Sequence, residues 1–162
     1  ISNHDFNSVN IFSIGIIFII MIFVLASISL PVILICVIEF AIFINMGIPY
    51  LTHTQIPFIA SIVIGTIQLG ATIDYAILIT TKYLDLRKNG KSKKDAVGEA
   101  LGSSISSIIV SGLCFFGATF GVGAYSKIEM IGSLCTLMSR GAIVSVVVVI
   151  TVLPALIIAF DK

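Results

Sequence analysis

The sequence is short of charge. Asp, Glu, Lys and Arg make up 10% of its 162 residues, against about a quarter in soluble globular domains. Tryptophan is absent, proline occurs 4 times, and the formal net charge is +1. Hydrophobic types reach 58%, and the mean hydropathy is +1.19. This balance excludes a soluble enzyme, a secreted disulfide scaffold and a disordered tail, and it indicates no nucleic-acid partner.

Motifs for catalysis and for metal binding are also missing. The sequence has no nucleophile–base pair, no glycine-rich phosphate loop and no zinc-ligand spacing. His4 and His53 lie in outer segments without metal-like partners, so we expect no metal site. Three cysteines fall in apolar runs and are predicted to be small buried side chains: Cys36, Cys114 and Cys135. We therefore expect neither an enzyme nor a bound cofactor.

Long hydrophobic runs dominate what is present. A membrane-spanning helix needs about 20 mostly apolar residues, and the chain has five such stretches. We predict an all-α membrane protein, a five-helix transmembrane bundle forming a single domain over residues 1–162. Pro31 suits a first helical turn, and Pro154 is expected to bend the last helix. The predicted helices cover about residues 9–29, 31–50, 56–83, 95–124 and 128–160.

Basic residues predict the orientation of the bundle. The loop from Lys82 to Lys94 holds six of the nine Lys and Arg residues, and cytoplasmic loops carry such an excess. We predict a multi-pass protein of the cell membrane, with loop 82–94 and the C-terminus in the cytoplasm and the N-terminus outside. The alternative role for this basic run is binding to anionic membrane lipids or to nucleic acid.

Local sequence signals mark one turn and several helix contacts. Asn89-Gly90 predicts a turn, and Ser92 followed by Asp95 predicts the capped start of a helix. Small residues spaced four apart let helix backbones approach closely in lipid, although glycine-rich spans also produce such pairs by chance. Close helix packing is expected at Gly65, Gly70, Gly117 and Gly121.

Polar side chains within the spans are the strongest functional signal, because each charge costs about 2.5–3.5 kcal/mol on insertion scales. At the helical rise per residue, Asp74 and Glu39 both lie about 12 Å from the basic side. Ser106 and Ser107 lie about 13–15 Å inside on the same measure. Three helices are therefore predicted to present polar groups in one layer of the membrane.

Asp74 is the leading candidate for a proton-relay acid. Gly70 and Ala71 lie on its face of the helix and leave room for a neighbouring helix or for water. A carboxyl at this depth suits reversible proton carriage, and the Tyr75 hydroxyl is expected to hydrogen-bond its ionised form. The alternative role is a structural ion pair or hydrogen bond between helices. An Asp74 side chain turned towards lipid tails would contradict the relay.

The other polar residues leave more alternatives open. Glu39 is either a second relay acid or a protonated hydrogen-bond donor between helices. Arg140 is either an anchor at the membrane interface or the structural partner of an acid. Three serines either join the relay or bond back to helix carbonyls: Ser106, Ser107 and Ser111.

The order of these residues resembles that of MMPL-type transporters in the resistance–nodulation–division (RND) superfamily. The core of the resemblance is Gly70-Ala71-Thr72-Ile73-Asp74-Tyr75 followed by the basic loop. The resemblance covers nearly the whole chain and five of the six helices in one half of the membrane domain, with the C-terminal half favoured. Weaker matches are Ser29-Leu30-Pro31, Ser111-Gly112-Leu113, Arg140-Gly141-Ala142 and Leu153-Pro154-Ala155-Leu156.

The resemblance implies a function and partners. It implies export of lipids or other hydrophobic and amphiphilic compounds, driven by protons as the coupling ion. Asp74 would be the relay acid with Tyr75 adjoining, facing an equivalent acid in a second half. The chain lacks the first helix of the half and the porter domains. We therefore expect a fragment of a longer protein, or a subunit whose partners are a second transporter half and porter domains.

Two other functions stay open. The chain is also similar to a sterol-sensing domain, which would hold lipid and regulate a partner without moving ions. A third possibility is an export subunit similar to SecD and SecF, although the acid helix of that family typically lacks an Asp-Tyr pair.

Overall fold

A computed structural model describes the backbone of residues 2–25, 27–52 and 58–160, and the side chains of residues 8–25, 27–52 and 60–160. Throughout these ranges the regular structure is helical, and each helix contains a stretch long and apolar enough to cross a membrane. The predicted five-helix bundle is confirmed. The helices are α1 (Ser2–Leu25), α2 (Ser29–Leu51), α3 (Phe58–Lys88), α4 (Lys93–Tyr125) and α5 (Glu129–Phe160).

The helix ends differ from the predicted ones at several places. Helix α1 begins before residue 9, and α3 continues to Lys88 rather than ending at residue 83. Lys and Arg are good helix formers, so α3 extends past its apolar stretch. Helix α5 runs on through Pro154. The predicted start of the third helix at residue 56, both histidine side chains and the C-terminal residues 161–162 lie outside the described residues.

The connection between α3 and α4 has two capping motifs. Gly90 adopts φ of +83°, and the amides of Gly90 and Lys91 bond back to the carbonyls of Arg87 and Leu86, which is a glycine C-cap. The Ser92 hydroxyl then accepts a 3.3 Å hydrogen bond from the amide of Asp95. The predicted turn and the predicted N-cap are confirmed. We call this end of the bundle, where α3 ends and α4 begins, the basic end.

Helices α3 and α5 form the centre of the bundle. Helix α3 contacts the other four helices, α5 contacts α2, α3 and α4, and α1 contacts only α2 and α3 among the described residues. A shared core joins side chains of all five helices, among them Met21, Leu34, Ile79, Ile108 and Leu153. Its position leaves the outward faces of α1, α2 and α4 rich in exposed apolar side chains, as expected for surfaces in lipid.

The prediction that the cysteines are buried is wrong for two of them. Cys36 and Cys114 are exposed on the bundle, Cys135 is half-buried, and all three are free thiols. The physical reason is the membrane itself, because an apolar run in a spanning helix faces lipid as readily as it faces the protein core.

Candidate functional site

Asp74 and Tyr75 lie near the middle of α3 but point in different directions. Thr72 faces the core and is fully buried. Each helical residue turns by about 100°, so Asp74 emerges about 200° from Thr72, on the opposite side of the helix. Tyr75 turns back inward and is 6% exposed, whereas Asp74 is exposed. The aspartate therefore lies on the surface of this chain, and the tyrosine lies inside it.

The exposed side of α3 forms a stripe with helical spacing. Thr66, Gly70 and Asp74 are all exposed and follow one another at intervals of four residues, which places them on one face. We call these three residues the open face of α3. The Asp74 side chain makes no hydrogen bond or ion pair within the described part of the chain.

Three serines predicted as relay candidates lie on α4 beside this region. The Lys82 amino group donates to the Ser103 carbonyl at 2.9 Å, and a Cβ added to Gly112 would lie 3.9 Å from the Tyr75 hydroxyl. These two contacts set α4 against α3, and the three serines lie on α4 between Ser103 and Gly112. Their side chains are exposed, and among the described residues none of them hydrogen-bonds to Asp74: Ser106, Ser107 and Ser111.

Glu39 is half-buried in the middle of α2. Its Oε1 atom is buried and has no hydrogen-bond partner among the described residues. No hydrogen bond connects Glu39 to Asp74 or to Tyr75 in that same part of the chain. Its proposed part in the relay stays a prediction.

Arg140 is paired with α2 rather than with a carboxyl group. Its Nε donates to the side-chain oxygen of Asn45 at 3.0 Å, and its Nη2 donates to the Asn45 backbone carbonyl at 2.9 Å. Pro49 lies inside α2, and a proline has no N–H with which to bond the carbonyl four residues earlier. That carbonyl belongs to Asn45. The guanidinium therefore supplies the donor that the proline removes.

Asn45 passes this connection on to α3 and α5. The side chain is fully buried. Its amide nitrogen donates to Gln68 Oε1 at 2.8 Å and to the Leu137 carbonyl at 3.2 Å. A buried amide that satisfies both its oxygen and its nitrogen is a stable link between helices.

Gln68 is the branch point of the same network. Its Nε2 donates to Ser145 Oγ at 3.1 Å and contacts the carbonyls of Ala41 and Gly141 at 3.4 and 3.5 Å. Thr72 Oγ1 lies 2.7 Å from Ser145 Oγ and 2.6 Å from the Gln68 carbonyl. We call Asn45, Gln68, Thr72, Arg140 and Ser145 the polar cluster. It joins α2, α3 and α5.

Gly141 makes the polar cluster possible. A Cβ at this position would lie 2.7 Å from Asn45 Nδ2 and 2.9 Å from Gln68 Oε1, distances that real side chains do not adopt. A methyl group here would push apart the two amides that bond each other. Glycine at this point of α5 therefore lets three helices meet around hydrogen-bonded side chains.

A small cavity is lined by Tyr75 and by two residues of the polar cluster, Gln68 and Ser145. It has a volume of about 10 Å³, which is about the space that one water molecule needs. Three of the residues that line the cavity have polar side chains: Gln68, Tyr75 and Ser145. Apolar side chains complete the lining, among them Phe115, Met138 and Ala142.

The four glycines predicted to pack closely have no close neighbour within this chain. A Cβ added at any of them meets nothing within 4 Å among the described residues, so close packing there stays a prediction for surfaces outside this chain: Gly65, Gly70, Gly117 and Gly121. The close approaches inside the bundle occur instead at Gly112, Gly123 and Gly141. At Gly112 an added Cβ would meet Val146 Cγ2.

Sequence reasoning missed most of the polar cluster. Arg140 is among the predicted site residues, but Asn45, Gln68 and Ser145 are not, because they lie on three different helices and form no motif along the sequence. One signal was present in the sequence. Two amides within predicted spans each need several hydrogen bonds once buried, and Pro49 marks the carbonyl of Asn45 as lacking its helical donor.

Comparison with known proteins decides the family. A model of the MMPL family matches residues 1–160, nearly the whole chain. The chain belongs to the MMPL family. This MMPL chain is therefore a multi-pass membrane segment from a transporter family of the RND superfamily, and not an enzyme.

Curated relatives of this MMPL chain are much longer. The chain is 27% identical over 97 residues to "Probable transport protein MmpL12" of Mycobacterium tuberculosis, in both the CDC 1551 / Oshkosh and the H37Rv strains. The match covers 60% of this chain and 8% of each relative. No solved structure matches the chain significantly.

Proposed function

We propose that this MMPL chain is the membrane part of a proton-driven exporter and that Asp74 is its proton-relay acid. The observation that carries the proposal is the position of Asp74. It lies near the middle of an apolar span, on the open face of α3, where its side chain is exposed among the described residues. An ionisable side chain at that depth is costly unless it faces protein or water.

The open face therefore requires a cover other than lipid. The resemblance to MMPL-type transporters offers a second transporter half, whose own acid would face Asp74. The exposure of Asp74 in a single half agrees with that arrangement. The glycine beside it, Gly70, has free space around it, which would allow a second backbone to come close.

Protonation of Asp74 supplies the driving step. An elementary charge that crosses the membrane field gains about 2.3 kcal/mol per 100 mV. That energy biases a balanced equilibrium between two conformations about fiftyfold. Movement of α3 against the second half would then act on porter domains outside the membrane.

Cargo, orientation and partners belong to the same proposal. By resemblance the cargo is a lipid or another hydrophobic or amphiphilic compound, and the partners are membrane lipids, a second half and porter domains. The basic end would face the cytoplasm of the cell, because Lys and Arg are retained on that side.

Export from cells tests the function. Asp74→Asn, made in the complete transporter that contains this chain, keeps the size of the side chain but cannot carry a proton. We expect export to fall to background while the amount of protein in the membrane stays unchanged. Asp85→Asn is the matched control, because Asp85 is an exposed acid on the same helix near the basic end. Undiminished export by Asp74→Asn would remove the proposal.

One observation favours a second function, a lipid-binding module similar to a sterol-sensing domain. An apolar groove of about 100 Å³ lies between α4 and α5, with Gly112 and Val146 among its walls. Such a groove suits a lipid tail. A lipid-dependent partner interaction that survives Asp74→Asn and does not depend on protons would favour this function.

A further inference from the structure

We propose that Gln68 is a positioning residue, which fixes the rotation of α3 and so determines where Asp74 points. This inference rests on the proposed function for its effect on transport, but the positioning itself can be measured separately. Gln68 lies six residues before Asp74, or about 9 Å along the helix. It is 4% exposed and bonds to two other helices at once.

The contacts of Gln68 resist both rotation and sliding of α3. On one side Oε1 accepts from Asn45 on α2 at 2.8 Å. On the other side Nε2 donates to Ser145 Oγ on α5 at 3.1 Å. Rotation of α3 in either direction must break one of these bonds and leave a buried amide group without its partner.

The α2 side of this connection is itself held in place. Asn45 is fixed by Arg140 through both its side-chain oxygen and its backbone carbonyl, at 3.0 and 2.9 Å. The polar cluster is therefore anchored in α5 at two points, Arg140 and Ser145. We infer that α2, α3 and α5 move as one rigid body, with Asp74 carried on its outer side.

The consequence for Asp74 follows from helical geometry. Asp74 is exposed while Tyr75, one residue later, is buried. A rotation of about 100° moves one residue to the direction that its neighbour held. Without the Gln68 contacts, α3 can populate orientations in which Asp74 no longer faces the cover of the open face.

Cysteine labelling measures the orientation of α3 without any transport assay. In a chain whose three native cysteines are replaced by alanine, Gly70→Cys reports on the open face, and a Cβ there meets nothing within 4 Å. Gln68→Leu should change the labelling rate by a water-soluble maleimide by about tenfold, the population change that one lost buried hydrogen bond allows. Thr151→Val is the control, since the exposed Thr151 hydroxyl on α5 bonds to Val147 of its own helix and Thr151 belongs to neither the open face nor the polar cluster.

The pH profile of transport separates positioning from a merely structural role. In the complete transporter, Gln68→Leu should lower the rate per folded molecule about tenfold and displace the pH at which transport is half-maximal. Thr151→Val should change neither the rate nor the pH of half-maximal transport. Should Gln68→Leu fail to fold, Ser145→Ala removes one acceptor of the same amide and should shift both readouts in the same direction, by less.

The outcomes distinguish this inference from the proposed function. A folded Gln68→Leu or Ser145→Ala variant whose labelling rate and pH profile match those of Thr151→Val would overturn the positioning role. The positioning role would also be overturned if a variant is present in the membrane at a lower amount but keeps the wild-type pH profile and labelling rate. If Gln68→Leu alters the labelling rate while Asp74→Asn exports normally, the positioning role of Gln68 is supported and the proton-relay role of Asp74 is contradicted.

Discussion

Arg140 on α5 donates a hydrogen bond to the backbone carbonyl of Asn45 on α2, 2.9 Å away, and this carbonyl is the one that Pro49 leaves without a helical donor. The pairing explains how an arginine is tolerated in a membrane span without a carboxyl partner in the described part of the chain. Its charge is directed at a carbonyl oxygen and an amide oxygen, which are both strong acceptors.

The pairing predicts that Arg140 and Pro49 are energetically coupled. Arg140→Leu leaves a buried carbonyl unbonded and should lower the free energy of unfolding by about 1–3 kcal/mol. In a Pro49→Ala background the new N–H can bond the Asn45 carbonyl, so the same substitution should cost about 1 kcal/mol less. Thermal unfolding of the four variants in one detergent measures the coupling, and strictly additive effects would contradict the pairing.

Gly141 provides a steric test of the polar cluster. Gly141→Ala places a methyl group 2.7 Å from Asn45 Nδ2 and 2.9 Å from Gln68 Oε1. Overpacking of this kind typically costs about 1–3 kcal/mol, which should appear as a lower unfolding temperature. Gly47→Ala is the control, because a Cβ there meets nothing within 4 Å and alanine favours the helix. Equal unfolding temperatures for the two variants would count against the described contacts.

The start of α4 depends on the Ser92 cap. Ser92→Ala removes the oxygen that accepts from the amide of Asp95 and should cost about 1 kcal/mol. Ser92→Thr keeps that oxygen and should stay close to the wild type. Hydrogen exchange at the first turn of α4 is the appropriate measurement, and equal protection in the alanine and threonine variants would show that the cap contributes nothing.

Orientation in the membrane is testable by labelling from outside the cell. With the native cysteines removed, Lys88→Cys at the basic end should resist a membrane-impermeant thiol reagent in intact cells. Tyr125→Cys, exposed at the opposite end of α4, should react. Permeabilised cells should label at both positions, and the reverse pattern in intact cells would place the basic end outside.

Much of the fold follows from local sequence properties. Long apolar runs indicated all five helices, because a spanning helix needs length and hydrophobicity that few other structures combine. Gly90 and Ser92 indicated how α3 ends and α4 begins, since their capping chemistry acts within a few residues. Counting residues along a helix of constant rise also predicts the depth of Asp74 in the membrane, and that depth stays a prediction.

The polar cluster did not follow from local properties. Asn45, Gln68 and Ser145 lie on three helices, and only the relative register of those helices brings their polar atoms within bonding distance. A single sequence does not show how α2, α3 and α5 are aligned relative to one another. The same limit applies to Gly141. A side chain at this position would clash only because α2 and α3 pack closely against α5, and a single sequence does not show that packing.

The direction in which the Asp74 side chain points could not be predicted from the sequence, for a similar reason. Counting along the chain predicts about the same depth for Asp74 and Tyr75, but it does not show that Asp74 faces outward and Tyr75 inward. The burial of Thr72 and Tyr75 settles that difference, because together they define the inward side of α3.

The most direct test of the relay is transport driven by a pH gradient. The complete transporter, reconstituted in sealed vesicles, would be given an imposed gradient with no other energy source, and movement of cargo would be followed over time. We expect transport by the wild type and by Asp85→Asn, and none by Asp74→Asn. Gradient-driven transport by Asp74→Asn at the wild-type rate would contradict the role of this carboxyl.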